Sequence, residues 1–134
     1  KDFERVAAGY AKIGMQGARV EKFIYEMPQA YAQASLLVCR SGASTLSEIA
    51  AIGRASVLVP FPQAADNHQE TNARVFSDCG AAVLMKQGEA RGQDLARLIE
   101  DLRSHPEKIH EMEKRAAELH RPGAAQRIVE VLSQ

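Results

Sequence analysis

The chain has 134 residues, of which 46% are hydrophobic, and its 17 basic and 17 acidic side chains cancel to a formal net charge of zero. This length and composition predict one globular domain with a core of its own, and the balanced charge disfavours nucleic-acid binding. No apolar run approaches the roughly 20 residues needed to cross a bilayer, so the sequence predicts no transmembrane helix.

The N-terminal part of the chain predicts a helix, a strand and a short second helix. Apolar residues recur at helical spacing from Phe3 to Ile13, and Gly14 is a suitable stop. The segment 19–24 is predicted as a strand, and the segment 27–34 as a short helix whose first turn tolerates a proline.

The middle of the chain predicts further strands that alternate with helices. The strands are expected over 36–40, 56–60 and 81–85, and the helices over 45–52 and 66–79. The run 56–60 is almost continuously apolar, as is typical of a strand covered on both faces of a parallel sheet. Strand and helix then alternate four times. We therefore predict an α/β fold with a Rossmann-like, doubly wound parallel sheet and helices on both faces.

The last third of the chain predicts three helices, over 95–102, 109–119 and 128–132, separated by proline and glycine. The chain also contains two cysteines without metal-type spacing. Cys39 is predicted to end a strand and Cys79 to end a helix, and free thiols in a reducing cytoplasm are expected.

The loop after the strand that ends in Cys39 predicts an anion site. Small residues lead into a helix N-terminus, where unpaired N–H groups and a partial positive charge attract phosphate. We expect the amides of Ala43, Ser44 and Thr45 to face a diphosphate and Glu48 to accept from sugar hydroxyls. The alternative is an ordinary capping box, with Thr45 as the N-cap and Glu48 three residues later, which binds nothing. Spacing alone leaves both interpretations open.

A second polar segment opens the helix 66–79. Asp66 is predicted as its N-cap with Gln69 as the capping-box partner, which is a sufficient structural explanation. His68, Gln69 and Asn72 nevertheless crowd polar groups onto the first turns, and amide side chains offer the donors and acceptors that recognise sugar hydroxyls. A role for His68 as a catalytic base is disfavoured because no Ser, Cys or acid partner is apparent.

Phe23 and Ile24 end the first predicted strand at the same edge of the sheet, where ligands of such folds bind. Core packing is the default role of a phenylalanine in a strand. The alternative is that Phe23 covers a nucleotide base while the backbone of Ile24 reads its edge. No Asp-x-Asp pair occurs, so no metal site is predicted and a helix dipole would have to neutralise the diphosphate.

Three segments together carry a family resemblance: Cys39-Arg-Ser-Gly-Ala-Ser-Thr-Leu-Ser-Glu-Ile-Ala50, Val59-Pro-Phe-Pro62 and Asp66-Asn-His-Gln-Glu-Thr-Asn-Ala73. The chain resembles the MurG-type N-acetylglucosaminyltransferases of peptidoglycan synthesis, in glycosyltransferase family 28. The resemblance implies that residues 1–134 are a single, partial UDP-sugar-binding domain, the C-terminal half of a GT-B enzyme whose N-terminal acceptor domain is absent from this chain.

The resemblance also implies the reaction. N-acetylglucosamine would pass, with inversion, from UDP to a lipid-linked muramoyl-pentapeptide, without a metal or another cofactor. The full-length enzyme would act at the cytoplasmic face of the bacterial cell membrane as a peripheral protein in cell-wall synthesis, cell shape and cell division. The fragment itself would be soluble, bind no nucleic acid, and meet the acceptor and the membrane only through the missing part. Alone, it would be inactive.

The resemblance implies a set of UDP-N-acetylglucosamine-binding residues and no catalytic residue in this chain. Phe23 and Ile24 would hold the uracil, the helix N-terminus and Glu48 the diphosphate and ribose, and the polar residues of the second segment the sugar. The full set is Phe23, Ile24, Gly42, Ala43, Ser44, Thr45, Leu46, Ser47, Glu48, His68, Gln69 and Asn72. Two alternatives stay open: a UDP-N-acetylglucosamine 2-epimerase-like isomerase domain, and a non-catalytic nucleotide-binding module.

Overall fold

The computed structural model describes residues 2–15, 17–64 and 67–133. The chain divides into two compact units, Lys1–Ala32 and Gln33–Gln134. In the described part, no helix is both long enough and apolar enough to span a membrane.

The N-terminal unit contains α1 (Asp2–Lys12), and α2 (Met27–Gln33) begins in it. Acidic residues in the first turn of α1 and a lysine in its last turn match the helix dipole, and Gly14 follows at a φ of +62°. The predicted strand 19–24 is wrong: these residues are described and adopt no strand. A strand needs a neighbour for its N–H and C=O groups, and the described part of this unit offers no second strand.

The C-terminal unit holds a three-stranded parallel sheet in the order β1-β2-β3. In this sheet Leu37 pairs with Ser56, and Ser56 pairs with Ala82. The described residues thus form three of the four predicted strands, each shorter than predicted. The elements are β1 (Leu37–Cys39), α3 (Ala43–Ile52), β2 (Ser56–Leu58), α4 (His68–Asp78), β3 (Ala82–Leu84), α5 (Gly92–Ser104), α6 (Pro106–Glu118) and α7 (Ala124–Leu132).

Helices cover both faces of the sheet, as predicted. The central strand β2 is fully buried, and its side chains alternate between the two faces. Leu58 packs with residues of α3 and α4 such as Ile49 and Phe76. Val57 points into the opposite cluster with Leu102 of α5 and Met112 of α6. The doubly wound α/β architecture is therefore confirmed.

The end of α3 is fixed against α6. Gly53 stops the helix at a φ of +61°, and a Cβ at this position would lie 3.2 Å from the Cβ of Ala117. The next residue, Arg54, forms a 2.8 Å ion pair with Glu113, in which both side chains are mostly buried. These contacts fix the C-terminal end of α3, so that the opposite end of the helix lies at the carboxyl edge of the sheet.

Candidate functional site

The carboxyl edge of the sheet is formed by the loops that follow the three strands. Because the strands are parallel, the chain leaves each of them at the same edge. The first loop is Arg40–Gly42, the second runs from Val59 to the start of α4, and the third begins at Met85. Ligands of doubly wound folds bind at this edge, so a ligand site is expected among these three loops.

The first turn of α3 is open at its N-terminus. Gly42 is its N-cap in an extended conformation, and none of the described side chains caps the helix. Its carbonyl accepts the first helical bond, from the N–H of Leu46 at 3.0 Å. The N–H groups of Ala43, Ser44 and Thr45 therefore have no acceptor within the helix. The first turn contains no acidic residue, so no carboxylate of that turn offsets the positive end of the dipole.

The predicted capping box of α3 is wrong. The helix begins two residues earlier than expected, so Thr45 is its third residue and not its N-cap. Glu48 consequently lies beyond the first turn, too far along for a capping-box partner. The physical reason is Gly42, which turns the chain into the helix without a side chain, and Ala43, which has a high helix propensity. Because Thr45 and Glu48 form no capping box, the first turn of α3 keeps unpaired N–H groups that an anion can bind.

The remaining residues of the predicted diphosphate segment differ in their exposure. Leu46 packs in the core, and its N–H is already bonded to Gly42, so neither group is free for a ligand. The exposed hydroxyl of Ser47 donates to the carbonyl of Ala43 at 3.0 Å. Glu48 is exposed one helical turn beyond Ser44 and Thr45. The exposed polar groups of this segment therefore lie on one side of α3.

The first turn of α4 is joined to the first loop by hydrogen bonds. The hydroxyl of Ser41, which is fully buried, donates to the carbonyl of Gln69 at 2.7 Å. The Nδ2 of Asn72 donates to the carbonyl of Ser41 at 3.3 Å. These bonds bring Gln69 and Asn72 beside the residue that precedes the N-cap of α3. The structure thus brings the two predicted polar segments together, with His68 exposed at the first position of α4.

The N-cap of α4 is Asn67, at a φ of +53°. The predicted cap, Asp66, lies outside the described residues. Gln69 is not a capping-box partner, because its Oε1 accepts a 3.0 Å bond from the N–H of Phe61. A backbone N–H requires an acceptor, so this bond fixes which end of the carboxamide faces the loop. The donor group Nε2 is left on the other side.

Arg40 is a residue of this edge that the sequence interpretation missed. Its Nη1 donates to the carbonyls of Val59 and Pro60, at 3.0 and 2.9 Å, and its Nη2 to Oε1 of Gln87 at 2.7 Å. The guanidinium also lies 5.4 Å from the ring centre of Phe61. Arg40 therefore connects all three loops. The signal in the sequence was the position of an arginine directly after a strand, at the ligand-binding edge.

A cavity of about 260 Å³ adjoins Phe61 between the second and third loops. At its wall, Glu70 pairs with Arg74 at 2.7 Å and with Lys86 at 3.3 Å. The hydrogen bond from Arg74 is the largest of the effects that lower the pKa of Glu70, followed by that from Lys86. Glu70 is therefore an ionised and paired carboxylate at neutral pH. The cavity is lined by Pro60, Phe61, Pro62, Asn67, Glu70, Lys86, Gln87 and Gly88.

Phe23 and Ile24 lie in the N-terminal unit. Neither is in a strand, and their side chains are 66% and 46% exposed, so core packing is not their role in this structure. The ring of Phe23 meets that of Tyr25 edge to face, with 4.9 Å between the centroids. An exposed aromatic pair of this kind offers a stacking surface.

Within residues 2–15, 17–64 and 67–133, no group of three His, Cys, Asp or Glu side chains is placed to hold a metal ion. The two cysteines have the predicted positions, Cys39 at the end of β1 and Cys79 after α4, and both are free thiols.

Comparison with known proteins gives consistent similarities. The family model described as "Glycosyltransferase family 28 C-terminal domain" matches residues 2–128. The chain is 48% identical over 130 residues to a Myxococcus xanthus protein named "UDP-N-acetylglucosamine--N-acetylmuramyl-(pentapeptide) pyrophosphoryl-undecaprenol N-acetylglucosamine transferase", covering 97% of this chain and 34% of the relative. A protein of the same name from Polynucleobacter asymbioticus is 50% identical over 122 residues, covering 91% of this chain and 33% of the relative.

A solved structure is also similar. The crystal structure of Acinetobacter baumannii MurG matches with a TM-score of 0.90 and 34% identity, over 99% of this chain and 40% of that chain. The chain thus spans about a third of the length of the curated relatives it matches. Because the family model covers nearly all of the chain and the fold agrees, the chain belongs to the family of glycosyltransferase family 28 C-terminal domains.

Proposed function

We propose that this chain is the donor-binding part of an N-acetylglucosaminyltransferase and that it binds UDP-N-acetylglucosamine at the carboxyl edge of its sheet. The observation that carries the proposal is the open first turn of α3, which contains no acidic residue and is capped by no side chain of the described part. A pyrophosphate is the part of the donor that such a helix end neutralises. The names of the similar proteins support the choice of donor.

The diphosphate accepts hydrogen bonds from the amides of Ala43, Ser44 and Thr45. When the sugar departs, negative charge develops on the diphosphate, and oriented N–H groups stabilise it without reorganising. The proposal therefore needs no metal ion at this point of the reaction. Leu46 belongs to this segment through its backbone position only, because its side chain is buried.

The ribose and the sugar lie on either side of this turn. Glu48 accepts from the ribose hydroxyls, and Gln69 donates to the N-acetylglucosamine through its Nε2, with His68 and Asn72 at the same sugar. Asn72 has a second role in this arrangement, because its amide also donates to the carbonyl of Ser41. For the uracil, the family resemblance implies Phe23 and the backbone of Ile24, both of the N-terminal unit, and this part of the proposal rests on that resemblance alone.

The complete enzyme transfers the sugar to a lipid-linked muramoyl-pentapeptide in peptidoglycan synthesis. That acceptor would be bound outside this chain, in keeping with relatives about three times as long. Since an undecaprenol-linked acceptor is held in a lipid bilayer, the enzyme works at the surface of the bacterial membrane, on the cytoplasmic face that the family resemblance implies.

Amide chemical shifts in the 134-residue chain test the site directly. Titration with UDP should shift the amides of Ala43, Ser44 and Thr45 more than those of other helix N-termini, such as the one of α5. ADP should shift the same phosphate-binding amides but bind more weakly, because only uracil fits the base contacts. Largest shifts at a different surface would contradict the proposal.

Glu48 provides the second test. In the full-length enzyme, Glu48→Ala should weaken donor binding by about two- to thirteenfold, the value of a hydrogen bond of about 0.5–1.5 kcal/mol. Glu130→Ala, at an exposed position of α7, is the matched control and should leave binding unchanged. UDP release that depends on the lipid acceptor supports a transferase, whereas epimerised UDP-sugar formed without acceptor would contradict it.

A further inference from the structure

The peptide group between Pro60 and Phe61 is held at both of its polar ends. Its carbonyl accepts from Nη1 of Arg40 at 2.9 Å, and its N–H donates to Oε1 of Gln69 at 3.0 Å. Because a peptide group is planar, fixing the carbonyl also fixes the direction of the N–H. Arg40 and Gln69 are therefore coupled through one rigid unit, although no bond joins them directly.

The same peptide group decides how the Gln69 carboxamide is turned. The N–H of Phe61 can only donate a hydrogen bond, so the carboxamide must turn its oxygen, and not its NH₂ group, toward this N–H. The backbone of Gln69 is held separately, by the buried hydroxyl of Ser41 at 2.7 Å. With the oxygen engaged and the backbone fixed, Nε2 is the group of this side chain that remains for a ligand.

We propose that Arg40 is a positioning residue for donor binding: by holding the Pro60–Phe61 peptide group, it keeps Gln69 turned with Nε2 toward the sugar of the nucleotide. This inference rests on the proposed function, in which Gln69 contacts the sugar. Arg40 acts through Gln69 and does not touch the diphosphate.

The contacts of Arg40 favour a geometric role over a charge effect. Its hydrogen-bond acceptors are two carbonyls and the amide oxygen of Gln87, all neutral. A planar guanidinium reaches these acceptors at once through its fixed fork, and the single ammonium of a lysine does not. Arg40→Lys therefore keeps the charge and loses the geometry, whereas Arg40→Gln loses both.

Calorimetry with the 134-residue chain distinguishes a geometric role of Arg40 from an effect of its charge. For both variants we expect an affinity for UDP-N-acetylglucosamine about tenfold lower than that of the wild type, and an affinity for UDP within about twofold. In the full-length enzyme, the same variants should raise the KM for the donor more than they lower kcat. Arg103→Lys is the control, because Arg103 is exposed on α5 and pairs with Glu100.

A double-mutant cycle tests the route through Gln69. On a Gln69→Ala background, Arg40→Lys should lower the affinity for UDP-N-acetylglucosamine by no more than about twofold, because the group it positions is gone. Should the Arg40 variants fail to fold in thermal unfolding, Gln87→Ala removes one acceptor and leaves Arg40 in place. Gln87→Ala should also lower the affinity for UDP-N-acetylglucosamine and not that for UDP, but by only about threefold.

The outcomes that overturn the inference differ from those that overturn the function. An equal loss for UDP and for UDP-N-acetylglucosamine, full rescue by lysine, or additive effects of the Arg40 and Gln69 substitutions each reject the positioning role alone. A Gln69→Ala chain that binds UDP-N-acetylglucosamine as the wild type does, or a wild type that binds neither nucleotide, rejects the proposed function and the inference with it.

Discussion

The buried hydroxyl of Ser41 donates a 2.7 Å hydrogen bond to the backbone carbonyl of Gln69. Ser41 directly precedes the N-cap of α3, and Gln69 is the second residue of α4. Together with the bond from Asn72 to the carbonyl of Ser41, this bond fixes the spacing between the two helix N-termini that form the candidate site. In the proposed function, that spacing sets the distance between the diphosphate and the sugar.

Replacement of this hydroxyl should reduce stability and binding together. Ser41→Ala removes one of the two donors to the carbonyl of Gln69, which keeps its bond within α4, and we expect the free energy of unfolding to fall by about 0.5–1.5 kcal/mol. Urea denaturation measures this change. UDP-N-acetylglucosamine affinity should fall as well, because only the weaker bond from Asn72 to the carbonyl of residue 41 then joins the two helix N-termini.

Ser47→Ala is the matched control for stability. Its hydroxyl is exposed and donates to the carbonyl one helical turn earlier. We expect a change within about 0.5 kcal/mol, since alanine offsets the lost bond by its higher helix propensity. Equal effects of the two substitutions would show that the Ser41–Gln69 bond contributes nothing specific.

Gly53→Ala should destabilise the chain through both backbone strain and contact with α6. Gly53 has a φ of +61°, and a new Cβ would lie 3.2 Å from the Cβ of Ala117 and 3.5 Å from the carbonyl of Glu113. We expect the free energy of unfolding to fall by about 2–3 kcal/mol, and thermal unfolding by circular dichroism measures the loss.

Gly123→Ala separates the two causes. Its φ is +76°, but no atom of residues 2–15, 17–64 or 67–133 lies within 4 Å of the position that a Cβ would take. This variant should show the strain alone, about 1 kcal/mol. If Gly53→Ala were no more harmful than Gly123→Ala, the contact between α3 and α6 would be looser than the structure describes.

The thiol of Cys39 should make stability depend on alkaline pH. Burial raises the pKa of Cys39 from 9.0 to about 11. A group whose pKa is higher in the folded state stabilises the fold below its unfolded pKa, and this contribution is lost as the pH rises from about 9 to 11. Urea midpoints measured across this range should fall for the wild type.

Cys39→Ala is the control for this titration. Other groups also lose protons at alkaline pH, so the informative quantity is the difference between the wild type and this variant. That difference should change between pH 9 and 11 and be constant between pH 6 and 8. At pH 8, iodoacetamide should also modify Cys39 in the native chain far more slowly than in denaturant, because the thiolate is the reactive form. A native rate equal to the denatured rate would contradict the burial of this thiol.

Local patterns predicted most of the fold. The apolar run at 56–60 identified the central strand, and glycines at positions 14 and 53 ended the helices where expected. These signals are local because a continuous apolar run and a positive φ are properties of a few consecutive residues. The prediction of a strand over 19–24 was wrong because it needed a non-local property. A strand pairs with a neighbouring strand, and the segment itself does not specify one.

The candidate site was predicted in part. The sequence indicated both helix N-termini and the polar residues on α4, but it placed the start of α3 at Thr45 and offered Gln69 as a capping partner. The first error arises because Gly42 and Ala43 let α3 begin two residues earlier, and the second because another donor competes for the Gln69 oxygen. The N–H of Phe61, eight residues earlier, takes the Gln69 oxygen, and a capping rule that considers only neighbouring residues does not contain that bond.

The sequence by itself determined the family, the alternation of strands and helices, and the small-residue turn before α3, because each of these is encoded in contiguous residues. Only the tertiary structure decided that Arg40 spans three loops, that Ser41 joins α3 to α4, and how the Gln69 carboxamide is turned. These contacts join residues 8 to 47 positions apart, and which distant polar groups meet depends on how the parallel strands align their ends.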